Sequence, residues 1–395
     1  MAPVRPESSF HHALRKSCKA WHVGDPRQEQ RLLRNILDWK QRLPLLSGGS
    51  ARGRLGHRKI GFVALPGLAG RVLDLPMPFD RLGDLEVLDG RSRAQPQPSS
   101  GIYRPQELLL SDGIPAFLHH WPQGSPCGRV LLLHGKGDHG GGFCPLAGEL
   151  AAQGWEVLAP DMRGFGRSGG IRCWIDRFSQ YQADLERITQ QIWPQKGIPQ
   201  IWCGYSAGAN WVTEYALAHP GQVQGLILIS PAFRIDHYFT PLTHALLQVL
   251  DRVAPQLALT GLYEPARVTS LPEQQAAFAA DPYMCGVTRA RFTAELARSG
   301  QRCLDQAHRL RLPVLLLYTS ADIVVNPAGA VDFARRLPQG EIHDFPQSRH
   351  DLLHDCQAEA VKETLRRWLA RHFPSAPDVA PRPTTNSAPT DLMAK

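Results

Sequence analysis

The sequence predicts an α/β fold: a mostly parallel central sheet with helices on both faces. Three observations carry that prediction. From about Glu107 onward, short apolar runs alternate with longer amphipathic stretches, the pattern of strands buried on both faces and joined by helices. Two of the runs are followed by glycine-rich connections, at 134–143 and 204–208. One interval of about 80 residues, between Ile229 and Val314, keeps helical periodicity but has no clear strand. An insertion of that length between strands belongs over the C-terminal edge of an open sheet, where such folds bind ligands.

In chain order, Glu107–Leu110 and Ala116–Trp121, split by a Ser-Asp-Gly-Ile-Pro turn, predict a hairpin. Arg129–Leu133 predicts a strand leading through the glycine-rich loop to a helix over Pro145–Gln153. Glu156–Ala159 precedes a helix over Phe178–Trp193, and Gln200–Cys203 precedes one over Ala207–Ala218. Strands follow at Leu226–Ile229, Val314–Tyr318 and Glu341–Phe345, and Val361, Leu365, Trp368 and Leu369 mark a final helix over Glu359–Phe373. Within the long interval, Leu242, Leu246, Val249, Leu250 and Val253 form one apolar stripe, and Ala290–Leu310 is a second helical segment. The interval, about 231–311, reads as a helical cap on a domain spanning 101–373. The stripe suits an acyl-chain pocket or a shallow membrane-surface contact, although packing on the sheet is the simpler expectation.

The flanks differ. Of the 395 residues, the first 100 hold 17 Lys+Arg against 9 Asp+Glu, while the remainder balances at 27 against 27. The net charge of +8 therefore belongs to a basic N-terminal segment, residues 1–100, with a candidate helix over Gln28–Leu43 and a polar linker at Arg91–Ser100. That segment lacks a nucleic-acid motif and interleaved aromatics, so no nucleic-acid partner is expected. The Pro-rich tail 374–395 is expected to be disordered. No stretch approaches 18 uninterrupted apolar residues, and the first 30 residues lack the apolar core of a secretory signal. Eight cysteines without a C-x-x-C pair suggest reduced thiols. The expected location is cytoplasmic, with peripheral membrane contact through the cap as an option.

The chemistry concentrates at three strand ends. Gly204-Tyr-Ser206-Ala-Gly208 follows a strand and opens a helix, the context in which a sharp turn lifts a serine hydroxyl above a sheet. Gly204 and Gly208 answer the need for small residues where the turn forces close backbone contact. A serine hydroxyl needs a base, and the base an orienting acid. Asp322, just past Val314–Tyr318, and His350, just past Glu341–Phe345, emerge at the same sheet edge in the order serine, acid, histidine. His343 lies inside a strand, and His354 one turn beyond His350 is expected to face solvent. The loop His134-Gly-Lys136-Gly-Asp-His139-Gly-Gly-Gly-Phe143 can turn backbone N–H groups toward the site. Lys136 and Ala207 are the expected oxyanion donors. The loop matches neither a Walker sequence nor a dinucleotide fingerprint. His134 and His139 have no carboxylate or cysteine partner at ligand spacing, so no metal or organic cofactor is expected, and His134 is read as a brace for the loop.

The segments HGKGDHGGGF at 134–143, PDMRGFGRSGG at 160–170, GYSAG at 204–208, ISPAF at 229–233, SADIVV at 320–325 and SRHDLLHD at 348–355 resemble an α/β-hydrolase of the monoacylglycerol lipase/lysophospholipase group, the serine aminopeptidase-like family. The resemblance covers about Glu107–Phe373 and leaves residues 1–100 outside. It implies Ser206, Asp322 and His350 as a catalytic triad, supports Lys136 and Ala207 as backbone donors, and makes Asp161 and Arg163 structural. The sequence departs from the family pattern at Tyr205, usually His, at Ala207, usually Met, and at Lys136, often a small residue. The implied function is a serine hydrolase cleaving carboxylic esters of fatty acyl chains, of monoacylglycerol or lysophospholipid type, with a small acyl ester or lipid as partner. A serine aminopeptidase, holding a substrate amine on cap acids such as Asp236, Glu264, Glu273 or Asp281, or an acyltransferase would use the same fold. A binding protein with a hydrolase fold is the non-enzymatic alternative.

Overall fold

The computed structural model of the chain describes residues 103–235, 241–259 and 264–374. The candidate helix at Gln28–Leu43, the linker Arg91–Ser100 and the tail after residue 374 lie outside the described residues.

The expected hairpin forms from β1 (Gln106–Leu109) and β2 (Pro115–Trp121), which pair antiparallel. The alternation then runs through β3 (Gly128–Leu133), α1 (Cys144–Ala152), β4 (Trp155–Pro160), α2 (Ser179–Ile192), β5 (Gln200–Tyr205), α3 (Ala207–Ala218) and β6 (Gly225–Ile229). The long interval holds α4 (Pro241–Val253), β7 (Ala258–Leu259), α5 (Pro265–Val268), α6 (Pro272–Ala280), β8 (Thr288–Arg289) and α7 (Ala290–Gln306). The chain returns through β9 (Val314–Tyr318), α8 (Ala328–Ala334), β10 (Gly340–Asp344) and α9 (Ala358–His372). The sheet order is β1-β2-β4-β3-β5-β6-β9-β10. Every pairing from β4 to β10 is parallel, and only β2 runs against its neighbours.

The central strands β3, β4, β5, β6 and β9 are mostly apolar because both of their faces are covered. Side chains alternate across a strand. Val130, Leu132, Ile201 and Cys203 meet α1 and α9 through Leu146, Leu150, Leu365 and Trp368. Leu131, Leu133, Trp202 and Leu228 meet α2, α3 and α8 through Leu185, Trp211, Tyr215 and Phe333. From β3 the chain steps to β4 on one side and later to β5 on the other, so the C-terminal ends of β3 and β5 bound the crevice where such sheets carry their sites.

Three findings refine the sequence reading of the interval. β7 and β8 form a two-stranded antiparallel ribbon, too short to leave a periodic signal. Helix α7 sends Phe292, Leu296, Cys303 and Leu304 into the same core as α3. Of the α4 stripe, Leu250 lies beside Leu247, which meets Ala290 and Ala294 of α7 rather than the sheet, while Leu246, Val249 and Val253 are 47%, 50% and 63% exposed. A helix resting on one other helix buries only a narrow seam.

Polar groups also stitch the body. Arg129 on β3 donates to Glu156 on β4 at 3.0 Å, and Glu156 lies 3.0 Å from His120 on β2. All three side chains are buried. Removing one member of a buried pair leaves its partner uncompensated, at a cost of about 3–5 kcal/mol. Glu156→Leu is therefore expected to destabilise the protein by about that amount in urea denaturation, with Arg129→Met/Glu156→Leu regaining much of the loss.

Candidate active site

Ser206 directly follows β5 with φ 52° and ψ −116°, a left-handed conformation that non-glycine residues seldom adopt. Its N–H donates to Ile229 O at 2.9 Å, and its carbonyl accepts from Ala209 and Ala232. Neighbouring strands and the following helix thus over-determine the turn and hold its strain. A Cβ on Gly204 would lie 2.4 Å from Ala209 N, and one on Gly208 would lie 2.2 Å from Leu133 O. Those two positions admit only hydrogen, which is the physical content of the small-residue requirement.

His350 Nε2 lies 3.0 Å from Ser206 Oγ, and His350 Nδ1 lies 2.7 Å from Asp322 Oδ2. The three residues come from the ends of β5, β9 and β10 and are 8%, 3% and 4% exposed for Ser206, His350 and Asp322. Asp322 Oδ1 accepts from the N–H groups of Val324 at 2.7 Å and Val325 at 3.0 Å, which fixes the carboxylate plane and leaves Oδ2 for the imidazole. Thr319 Oγ1 donates to Ser348 O at 2.9 Å and ties the acid turn to the histidine loop. The chain of contacts orients one imidazole nitrogen toward the serine, the geometry of a base poised on a nucleophile.

The glycine-rich loop lies against the serine: a Cβ on Gly135 would meet Ser206 Cβ at 3.0 Å. Among the described residues, the backbone N–H groups of Lys136 and Ala207 make no hydrogen bond. Ala207 is the first residue of α3, where N–H groups have no intrahelical partner. His134 is wholly buried; Met162 N–H donates to its Nε2 at 3.0 Å, and its Nδ1 sits 2.8 Å from Gly135 O. The ring therefore carries its proton on Nδ1 and braces the loop, as the sequence suggested. Burial pushes its pKa down to about 4.

Asp161 accepts from Gly140 N–H and Arg167 N–H, each at 2.7 Å, and Arg163 makes a two-pronged pair with Asp184 of α2. These residues shape the loop from below and touch none of Ser206, His350 or Asp322.

Several site partners come from places the sequence could not connect. His139 Nε2 lies 3.0 Å from Asp281, and Cys285 N–H donates to Gly137 O at 2.6 Å. Burial disfavours a charge on His139, but the Asp281 and Asp138 carboxylates outweigh it and hold the pKa above its ordinary value. His354, expected to face solvent, is instead half-buried, 3.0 Å from Asp351 and edge-on to Phe278. Burial opposes its charge, and Asp351 and Asp138 overcome that to raise its pKa to about 9. The expectation that the loop histidines lack a carboxylate at ligand spacing also needs correction. His119, His139 and Asp161 place ligand atoms within 4.8 Å of one another. Both Asp161 oxygens are already taken by backbone N–H groups, and Gly141 N–H donates to His139 Nδ1 at 3.1 Å. Asp161 and His139 thus hold the loop by hydrogen bonds from beneath.

Comparison with known proteins finds relatives of this chain. The family described as serine aminopeptidase, S33, matches residues 124–357, more than half of the chain. A monoacylglycerol lipase of Mycolicibacterium smegmatis is 29% identical over 261 residues, covering 64% of this chain and 91% of that protein. The human monoglyceride lipase is 25% identical over 291 residues, covering 69% and 93%. The crystal structure of Paleococcus ferrophilus monoacylglycerol lipase superposes with a TM-score of 0.59 at 26% identity, covering 65% of this chain and 99% of that one.

The neutral His134 gives a pH prediction. Its pKa, about 4 when folded, is about 6.5 in an unfolded chain. Its contribution to stability is complete above pH about 6.5 and falls away as pH drops toward 4. Urea midpoints measured from pH 7 to pH 4.5 should decline less steeply in His134→Asn than in the unsubstituted protein.

Proposed function

The chain belongs to the serine aminopeptidase S33 family and is a serine hydrolase of α/β-hydrolase fold, and from that membership we propose that it cleaves carboxylic esters of fatty acyl chains with Ser206, His350 and Asp322 as its triad. The observation that carries the reading is the continuous line of contacts Ser206 Oγ to His350 Nε2 at 3.0 Å and His350 Nδ1 to Asp322 at 2.7 Å, beside two unengaged backbone N–H groups.

Ser206 Oγ attacks the ester carbonyl while His350 Nε2 takes its proton. Asp322 holds the imidazole in the required tautomer and stabilises the imidazolium. The carbonyl oxygen becomes an oxyanion and accepts from the N–H groups of Lys136 and Ala207, with the N-terminus of α3 adding a favourable dipole. Collapse of the intermediate releases the alcohol, which leaves with the proton from His350. Water then adds to the acyl-enzyme, gives a proton to His350, and frees the carboxylic acid and Ser206. The relatives named monoacylglycerol and monoglyceride lipases support a glycerol monoester as substrate.

The segment from about residue 231 to α7 serves as the cap over this site. Among the described residues no helix is long and apolar enough to cross a membrane. The exposed Leu246, Val249 and Val253 of α4 support peripheral contact of a cytoplasmic protein with a lipid surface. The seven described cysteines are unpaired, in keeping with a reducing compartment.

A fluorophosphonate probe should label Ser206 in the folded chain, and Ser206→Ala should abolish both labelling and acyl-ester hydrolysis. Asp322→Asn should lower kcat by about 10⁴-fold with little change in thermal midpoint. Aminoacyl-arylamide turnover matching that of acylglycerols would favour the peptidase reading instead. Sedimentation with phospholipid vesicles should fall in Leu246→Glu/Val249→Glu while hydrolysis of a water-soluble short-chain ester persists.

A further inference from the structure

Lys136 follows Gly135, the loop residue that abuts Ser206, so its side chain starts one residue beyond that contact. Nζ crosses to the cap and donates to Thr288 Oγ1 at 2.5 Å. That is one neutral acceptor for a group with three N–H donors. The next residue, Arg289, donates through Nε to Arg172 O at 2.8 Å and through Nη1 to Gln256 O at 2.6 Å.

Neither cation pairs with a carboxylate among the described residues. Several other half-buried or buried cations do pair with one, although the Arg349 guanidinium, like these two, meets only carbonyls. Arg129 is matched by Glu156, Arg163 by Asp184, Arg291 and Arg298 by Asp251, and Lys362 by Glu149. Asp281 is the one acid in the segment 281–289, and it is turned to His139. A partly desolvated ammonium held by a single hydroxyl is under-satisfied, and an anionic oxygen satisfies it best.

We propose that Lys136, Thr288 and Arg289 form a subsite for an anionic oxygen group, phosphate or carboxylate, carried by the ester substrate. This rests on the hydrolase reading and narrows it: the preferred ester bears a negative charge within a side chain's length of the scissile carbonyl. Lysine meets phosphate as a point charge and arginine as a fork. Thr288 adds a hydroxyl that holds the ammonium in place until the substrate arrives.

The test uses the full chain carrying Ser206→Ala, so that binding is read without turnover. Titration calorimetry compares dodecyl phosphate with the uncharged 1-O-dodecylglycerol. Dodecyl phosphate is expected to bind about tenfold or more tightly, as a charge-assisted contact allows. The advantage should shrink to about threefold or less in Lys136→Met and in Arg289→Gln; Arg289→Gln carries the comparison alone if Lys136→Met does not fold. Equal affinities in the parent, or an advantage surviving both substitutions, overturns the proposal. Inorganic phosphate, added at the same concentration as dodecyl phosphate, separates the sources. Failure to displace the lipid supports a lipid-borne anion; equal displacement overturns that assignment in favour of free phosphate. With Ser206 restored, the ratio of kcat/KM for 1-lauroylglycerol-3-phosphate over 1-lauroylglycerol should fall about tenfold in Lys136→Met. If no ester is turned over yet the calorimetric difference stands, the hydrolase reading fails and the subsite remains.

Discussion

The turn at Ser206 is the constraint on which the rest of the structure depends. An L-residue held at φ 52° is strained, and such strain persists only where the surroundings leave no alternative. Here the surroundings are the centre of the sheet. Ser206 N–H is fixed to β6 through Ile229 O, and α3 begins at once, so the helix must pass close enough to β3 that Gly208 presses on Leu133 O. The parallel order of β3, β5, β6, β9 and β10 then brings the loops after β9 and β10 to the same edge. Asp322 and His350 need only short excursions to reach the serine.

The second organising feature is the loop from His134 to Phe143. A glycine-rich segment has no intrinsic preference for one shape, so its shape is imposed from outside. His134 holds it to Met162, Asp161 holds Gly140, and Asp281 and Cys285 hold His139 and Gly137. Two of those grips come from the body and two from the interval between β6 and β9. The backbone N–H groups beside Ser206 are therefore positioned jointly by the sheet body and the interval between β6 and β9, and Lys136 to Thr288 adds a further bond between them. The unmatched charges at Lys136 and Arg289 lie where those two parts meet, which is where an ester's variable portion would reach.

Much of this was legible in the chain. Strand and helix positions follow from apolar runs of one period and stripes of another, and the central strands are the clearest because both of their faces are buried. Ser206, Asp322 and His350 were legible because each sits at or within a few residues of the end of such a run. The α4 stripe was misjudged for a related reason: periodicity reports that one face is apolar but not whether a sheet, a helix or a lipid surface covers it. Leu247 found a helix, while Leu246, Val249 and Val253 were left exposed. The ribbon of β7 and β8, two residues each, falls below the length at which alternation can be counted.

The sequence by itself determined the fold class, the strand ends and the three residues placed at them, because local periodicity and glycine spacing encode where a strand stops and a turn must be tight. It also located the net positive charge in the first 100 residues and left the hydrolase body balanced, which removed charge as a guide to the chemistry. Only the tertiary structure decided which groups reach across from elsewhere. His139 and Asp281 are 142 positions apart, and Lys136 and Thr288 are 152 apart. No local pattern links residues so distant, since their meeting depends on how the interval between β6 and β9 folds against the glycine-rich loop. The reversal of His354 from an exposed residue to one paired with Asp351 has the same cause: its burial is supplied by Phe278 of α6, an element with no sequence relation to the loop it covers.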